Sequence, residues 1–251
     1  MRDGYVKAVE LAGIGLIEFS HPKGNSLPRT LLAELQSEME TFCKDTHVKV
    51  ILLKSSGEKT FCAGASFDEL LNLKNTEEGI EFFSGFANVI NAMRKCPKFV
   101  VAKVQGRAVG GGVGLIAASD YVFAHKTASV RLSELSIGIA PFVIAAAVES
   151  KIGKAAFMEM TIDTEWKSAD WALQKGLYNK VFENIALMEE ELRLFLNRLS
   201  RYSLSATEEI KKIFWSSAKN WDDLLLKRAE LSGKLVLEKE AQSFLAKFKG
   251  N

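Results

Sequence analysis

Metal-ligand and redox motifs are missing from this sequence. Its three cysteines, Cys43, Cys62 and Cys96, form no CxxC pair, and its three histidines, His21, His47 and His125, are scattered. Neither a disulfide framework nor a zinc cluster follows from that spacing, so a reduced, metal-free protein is expected. An excess of charge of one sign is lacking too: 33 Lys and Arg stand against 31 Asp and Glu, a net charge of +2. That removes the general electrostatic case for nucleic acid or a membrane surface as partner. No stretch reaches the roughly twenty apolar residues that span a bilayer. The opening Met1-Arg2-Asp3-Gly4-Tyr5 has no apolar signal core, and the expected location is the cytoplasm. Internal repeats, low-complexity tracts and clear linkers are also absent. What remains is 251 residues, 47% hydrophobic and 25% charged, enough to bury a sizeable core.

Periodicity orders the chain. Tyr5 to Leu11 and Ile14 to Phe19 read as two strands hinged by Gly13, ended by Pro22, Gly24 and Asn25, which is a hairpin. Pro28 opens a helix with Leu31, Leu32, Leu35, Met39 and Phe42 at helical spacing, and Val48 to Leu53 is the next strand. A helix from Glu77 to Met93 presents Ile80, Phe83, Phe86, Val89 and Ile90 on one face. Phe99 to Val104 reads as a buried strand, followed by a glycine turn, a small helix Leu115 to Ala118, a strand Tyr121 to Ala124 and a short strand near Ser129-Val130. Beyond Pro141 helices are predicted over Ala145 to Ile152, Ala155 to Met160, Ala169 to Gln174 and Leu187 to Leu199, with a strand at Tyr178 to Phe182. Two further helices over 204–249 carry more apolar positions than an isolated pair hides, so they pack on the body or on another subunit.

Two turns rich in free main-chain amides carry the chemistry. Phe61-Cys62-Ala63-Gly64-Ala65 precedes the run Gly106 to Gly114 by about fifty residues. A glycine turn that feeds a helix directs unpaired N–H groups, at the positive end of the helix dipole, toward an anion or a developing oxyanion. Two such amides aimed at one point polarise a carbonyl. Gly112-Val113-Gly114-Leu115-Ile116-Ala117 also fits the dinucleotide fingerprint G-x-G-x-x-A, with Glu134 twenty residues beyond Gly114. The context contradicts that reading, because the strand at Tyr121 arrives too early for a crossover helix of ordinary length.

Taken together, the opening His21-Pro22-Lys23 and Asn25, the Ala63-Gly64-Ala65 turn, the Gly106 to Gly114 run, Asp120 and Ser133 to Gly138 resemble the enoyl-CoA hydratase/isomerase family, or crotonase superfamily. The resemblance spans nearly the whole chain. It implies an α/β fold built as a spiral of ββα units over residues 1–195, with a helical C-terminal region over 196–251 that forms trimers, singly or paired as a hexamer. It implies an acyl-CoA thioester as substrate, coenzyme A being part of that substrate and no other cofactor being needed. Ala65 and Gly111 match the two amides that bind the thioester oxygen, and Glu134 matches the carboxylate that exchanges a proton at the adjacent carbon. Leu132, Leu135 and Ile137 are expected to form an apolar pocket that lifts the pKa of Glu134. Ala63, Gly64, Ser66, Gly110 and Phe142 are expected along the acyl and pantetheine path, with Lys23 toward the nucleotide. The closing Lys247-Phe248-Lys249 reads as a solvated helix end, or as a phosphate contact to a neighbouring subunit.

Two departures bear on the reaction. Family hydratases carry a first glutamate two residues after the glycine triplet, where this chain has Gly114. Adding water uses two acids naturally, so (de)hydration requires a second one from Asp68, Glu69 or a neighbouring helix. The stretches Leu132 to Pro141 and Asp163 to Ala169 resemble a bacterial branch of methylglutaconyl-CoA hydratases, which favours that reaction. Alternatively, Glu134 alone moves a double bond between C3 and C2, or the chain is an inactive acyl-CoA binder. Second, Phe142 stands where a glycine-rich turn is common, which predicts a short or branched acyl group. Cys62 is read as packing, His125 as structural, and Trp166, Trp171, Trp215 and Trp221 as core or interface residues.

Overall fold

The computed structural model describes residues 3–247; Phe248 and Lys249 of the closing run lie outside them. Tyr5–Leu11 (β1) pairs antiparallel with Ile14–Ser20 (β2), and the two-residue link Ala12-Gly13 has φ of 51° and 83°. Positive φ at both central positions is the geometry that matches the twist of a tight hairpin. Asn25 then ties this hairpin to the next unit: its Oδ1 accepts from the His21 N–H, and its Nδ2 donates to the carbonyls of Ser56 and Thr60.

After Arg29–Lys44 (α1) the chain runs through three similar units. The first comprises Val50–Ser55 (β3), Thr60–Cys62 (β4), Phe67–Leu71 (α2) and Thr76–Lys95 (α3); the second Phe99–Val104 (β5), Arg107–Val109 (β6) and Gly111–Ala118 (α4). The third comprises Tyr121–His125 (β7), Val130–Arg131 (β8) and Phe142–Ile162 (α5). Each unit gives one strand to a large sheet and one to a small sheet, then returns by a helix, so the chain winds as a spiral. Ala169–Gln174 (α6), Lys180–Phe182 (β9), Ile185–Leu199 (α7), Leu204–Phe214 (α8), Trp221–Leu235 (α9) and Lys239–Ala246 (α10) follow. The large sheet has the order β1-β2-β3-β5-β7-β9, parallel from β2 onward, and the small one β4-β6-β8 is parallel throughout.

A parallel sheet is covered on both faces, and its strands read as apolar runs. Here Ile51, Leu53, Val100, Ala102, Val104, Val122 and Ala124 point into the main core. Their neighbours Val50, Leu52, Val101 and Phe123 point the other way, under Met188, Leu192, Leu196 and Leu199 of α7. Trp221, Leu225 and Ala229 bring α9 into the main core as well. The two helices expected on either side of Gly153 are both present and follow one another as α5, parted by a break at Gly153 itself (φ 77°, ψ 159°). The C-terminal pair expected over 204–249 is three helices, because Ser216 to Ala218 and Val236 to Glu238 interrupt the pattern. No helix among the described residues is long and apolar enough to cross a membrane.

Candidate active site

The two amide-rich turns come together. Leu27 pairs with the first turn on either side of Ala65, its N–H donating to the Gly64 carbonyl (2.8 Å) and its carbonyl accepting from the Ser66 N–H (3.3 Å). Among the described residues the Ala65 N–H has no protein acceptor. In the second turn the Gly110 N–H donates to the Arg131 carbonyl (3.0 Å), while the Gly110 carbonyl takes the first bonds of α4, from Val113 and Gly114. Gly111 is the first residue of that helix, where an amide has no acceptor inside the helix. A methyl group on Gly64 would stand 3.0 Å from the Val109 oxygen and 3.7 Å from the Gly111 nitrogen, so the two turns lie side by side.

Both turns line a cavity of about 160 Å³. Its walls are Phe67, Leu70, Phe82, Phe83, Phe86, Phe142, Ile137, Ile139 and Ile144, with Ser133, Ser232 and Glu134 as its polar side chains. Glu134 is its single titratable group and sits beside the second turn. A methyl on Gly110, whose φ is +52°, would fall 2.8 Å from Glu134 Oε1. Only a glycine satisfies both the backbone and the carboxyl at that place.

Glu134 begins the short 3-10 turn Glu134–Ile137. Its Oε2 is sealed from solvent and has no hydrogen-bond partner among the described residues. Burial raises the carboxyl from an ordinary value of 4.5 to about 7, against the opposing pull of the main-chain amides of Glu134 and Ser133. The apolar surroundings are not those the sequence suggested. Leu135 is 45% exposed and Leu132 belongs to the main core; of the three, Ile137 alone lines the cavity. The phenylalanines of α3, Phe82, Phe83 and Phe86, supply a third of the apolar wall named above. Their helical spacing marked Phe83 and Phe86 as core, and nothing local distinguishes a core face from a cavity wall.

Gly114 has no room for a carboxylate. A Cβ there would lie 2.5 Å from Ile144 Cγ2 and 2.9 Å from Ile144 Cβ, because α4 and α5 touch at this point. Neither of the nearby acids replaces it. Asp68 pairs with Lys23 at the surface, and Glu69 accepts from the Arg29 N–H and faces its guanidinium. Ser66, expected along the substrate path, is 6% exposed and caps α2 by accepting from the Glu69 N–H, so it does not line the cavity. Lys23 is exposed and also outside the lining.

The other singled-out residues have structural partners. Cys62 is buried, and its thiol is pushed up to about 12 by desolvation. The His125 ring bonds the Thr127 hydroxyl and the Glu183 carbonyl. Trp221 is core, Trp171 and Trp215 donate to Glu159 and Asp120, and Trp166 lies under Arg107 and Arg131. Ser232 of α9 is a wall residue that the sequence does not reveal, since its neighbours signal only an amphipathic helix.

The chain matches the model of the enoyl-CoA hydratase/isomerase family over residues 10–243. It is 30% identical to a probable enoyl-CoA hydratase of Rhizobium meliloti over 208 residues, 81% of this chain and 79% of that protein. It is 32% identical to a mitochondrial enoyl-CoA hydratase of Pongo abelii over 72% of this chain and 61% of that protein, under two thirds of that protein's length. The crystal structure of an enoyl-CoA hydratase from Bacillus halodurans superposes with a TM-score of 0.90 at 22% identity, over 97% of this chain and 99% of that one. The order of units in the spiral, the paired turns and the extent of these matches agree: the chain belongs to the enoyl-CoA hydratase/isomerase family, with the crotonase fold.

Proposed function

We propose that the protein shifts a carbon–carbon double bond between C3 and C2 of a short or branched acyl-CoA, with Glu134 as the one acid/base. The observation that carries this reading is Ile144 packed on Gly114, which closes the place where a second carboxylate would hold water. The amides of Ala65 and Gly111 receive the thioester oxygen. A donor of this kind is worth about 3 kcal/mol of barrier. Glu134, ionised, removes a C2 proton, the two amides hold the dienolate, and the same carboxyl returns the proton at C4. No water enters the balance. The Ala63-Gly64 turn and Gly110 flank the thioester, Phe142 limits the acyl end, and Lys23 with its partner Asp68 marks the outer path toward the nucleotide. Coenzyme A arrives with the substrate, and the scheme uses no other cofactor and no location beyond the cytoplasm.

Hydration is the second reading, favoured by the names of the relatives. The test is one panel of 2-enoyl- and 3-enoyl-CoA thioesters of four to six carbons plus a sixteen-carbon member. We expect a shifted double bond and no 3-hydroxyacyl-CoA; the hydroxy product at a comparable rate would replace isomerisation by hydration. Absence of turnover with retained CoA-thioester binding would leave a binding protein. An apolar cavity near 150 Å³ accommodates a six-carbon ring, so the sixteen-carbon thioester should be at least about tenfold poorer in kcat/KM.

The pH profile separates the same two readings. Isomerisation from the 3-enoyl side starts from ionised Glu134, so kcat/KM rises as pH passes about 7 and then levels. Hydration with Glu134 delivering the proton starts from its protonated form and falls through the same range.

The assembly proposed with this reading is a homotrimer, singly or as a dimer of trimers, formed through the 196–251 region. Ile210, Ile213 and Phe214 make one stripe on α8 and are 38%, 65% and 60% exposed, and Met158 and Ile162 do the same on α5. Such apolar stripes suit contact with another copy. Light scattering should then give three or six times the chain mass of 27.7 kDa, and a monomer would refute it.

A further inference from the structure

Away from the cavity, two free thiols stand together. Cys43 lies in the last turn of α1 and Cys96 caps the C-terminus of α3. Both line one surface groove of about 340 Å³ together with Glu40, Lys44, Lys95 and Asp222, Cys43 half-buried at its wall and Cys96 buried beneath it. The two thiols act on each other's ionisation, that of Cys96 being lowered and that of Cys43 raised. Two buried ammonium groups close the helix ends around the pair. Lys98 Nζ donates to the carbonyls of Phe42 and Asp45, and Lys211 Nζ to those of Met93 and Lys98 (3.0 and 2.7 Å). Helix C-termini disfavour an anion; these two cations oppose that effect where the sulfurs sit.

We propose that Cys43 and Cys96 are an oxidisable dithiol that a hydroperoxide converts to a disulfide joining α1 to α3. Cys96 is the attacking sulfur. The neighbouring Cys43, together with Lys211 and Lys98, holds its thiol below the ordinary cysteine value, while the proximity of Cys96 and burial hold Cys43 above it. The Cys96 thiolate attacks the terminal peroxide oxygen: a sulfur–oxygen bond forms, the oxygen–oxygen bond breaks, and the alcohol or water leaves with the proton. Cys43 then attacks the sulfenic sulfur, so that a sulfur–sulfur bond forms and hydroxide departs with the Cys43 proton as water. Two thiols are oxidised and one peroxide is reduced. Cys62, sealed in the core with its thiol raised to about 12, is an internal control.

The experiment treats the reduced full-length protein with excess hydrogen peroxide, alkylates the remaining thiols and maps the peptides. Free thiols should fall from three to one, the chain should lose about 2 Da, and one linked pair should contain Cys43 and Cys96, restored by dithiothreitol. In Cys43→Ser, Cys96 should instead be trapped as a sulfenic acid by dimedone. The wild-type map decides alone if that variant does not fold. Three unreacted thiols, oxygen added to Cys43 alone, or links only between chains would each overturn the proposal.

Discussion

Replacing Glu134 by Gln should reduce kcat by about a thousandfold or more and at the same time make the protein more stable above pH 7. A positioned acid/base contributes roughly 10²–10⁴ to a rate, and this cavity has no second titratable group to take over the proton. Binding should survive, because the amides of Ala65 and Gly111 and the phenylalanine walls are untouched, so affinity for a CoA thioester should change by less than about threefold, well under 1 kcal/mol. The stability effect has the opposite sign. The folded carboxyl titrates near 7 and the unfolded one near 4.5. Below 4.5 both states are protonated, and burying the side chain carries no ionic penalty. Between 4.5 and 7 the unfolded chain gives up the proton first, so stability falls as pH rises, and above 7 the full penalty stands, about 3 kcal/mol. Gln keeps the shape without the charge and removes that penalty. Denaturation at pH 8 and pH 4 should show a gain of up to about 3 kcal/mol at pH 8 and little at pH 4. An inactive variant with unchanged pH dependence of stability would mean that the carboxyl is not desolvated as described.

The second large effect lies far from the chemistry. Asp120→Ala should lower thermal stability by on the order of 10 °C, since breaking a buried ion pair costs about 3–5 kcal/mol. Asp120 Oδ2 accepts from the Val100 N–H (2.7 Å) and faces Lys211 Nζ at 2.8 Å, and Oδ1 accepts from Trp215 Nε1 (3.2 Å). Lys211 is 2% exposed and Asp120 8%. Alanine leaves that ammonium buried with carbonyl partners only. Asp120→Asn, which retains hydrogen-bonding capacity, should lose less, and Asp120→Ala with Lys211→Met should recover part of the loss because the stranded charge goes as well. Calorimetry on the three variants checks the order. A double variant less stable than Asp120→Ala would refute the account.

Much of this was legible in the residues themselves. The hairpin, the large-sheet strands and the long helices follow from period and turn chemistry, and the break at Gly153 falls between two separately predicted helices. Of the small sheet only β8 was legible, as the short strand near Ser129-Val130. Strands β4 and β6 have three residues each, too short for any alternation to register. Thr60 to Cys62 and Arg107 to Val109 therefore read as parts of turns, yet their pairing is what sets the two amide-rich turns side by side. Ser66 read as a contact on the substrate path and proved to be a helix cap, since a serine before an acidic turn has both uses.

The sequence by itself determined the large-sheet strands, the long helices and the two amide-rich turns, because glycine spacing and apolar periodicity are local properties of a chain, and its resemblance to the family pointed to Ala65, Gly111 and Glu134. Tertiary structure alone decided what surrounds them. That Ile144 fills the space at Gly114, that α3 and α9 supply Phe82, Phe83, Phe86 and Ser232 to the cavity, and that Asp68 is spent on Lys23 all depend on residues distant in sequence. Desolvation has the same origin: a carboxyl is raised to about 7 by everything packed around it, and no spacing along one chain segment reports that.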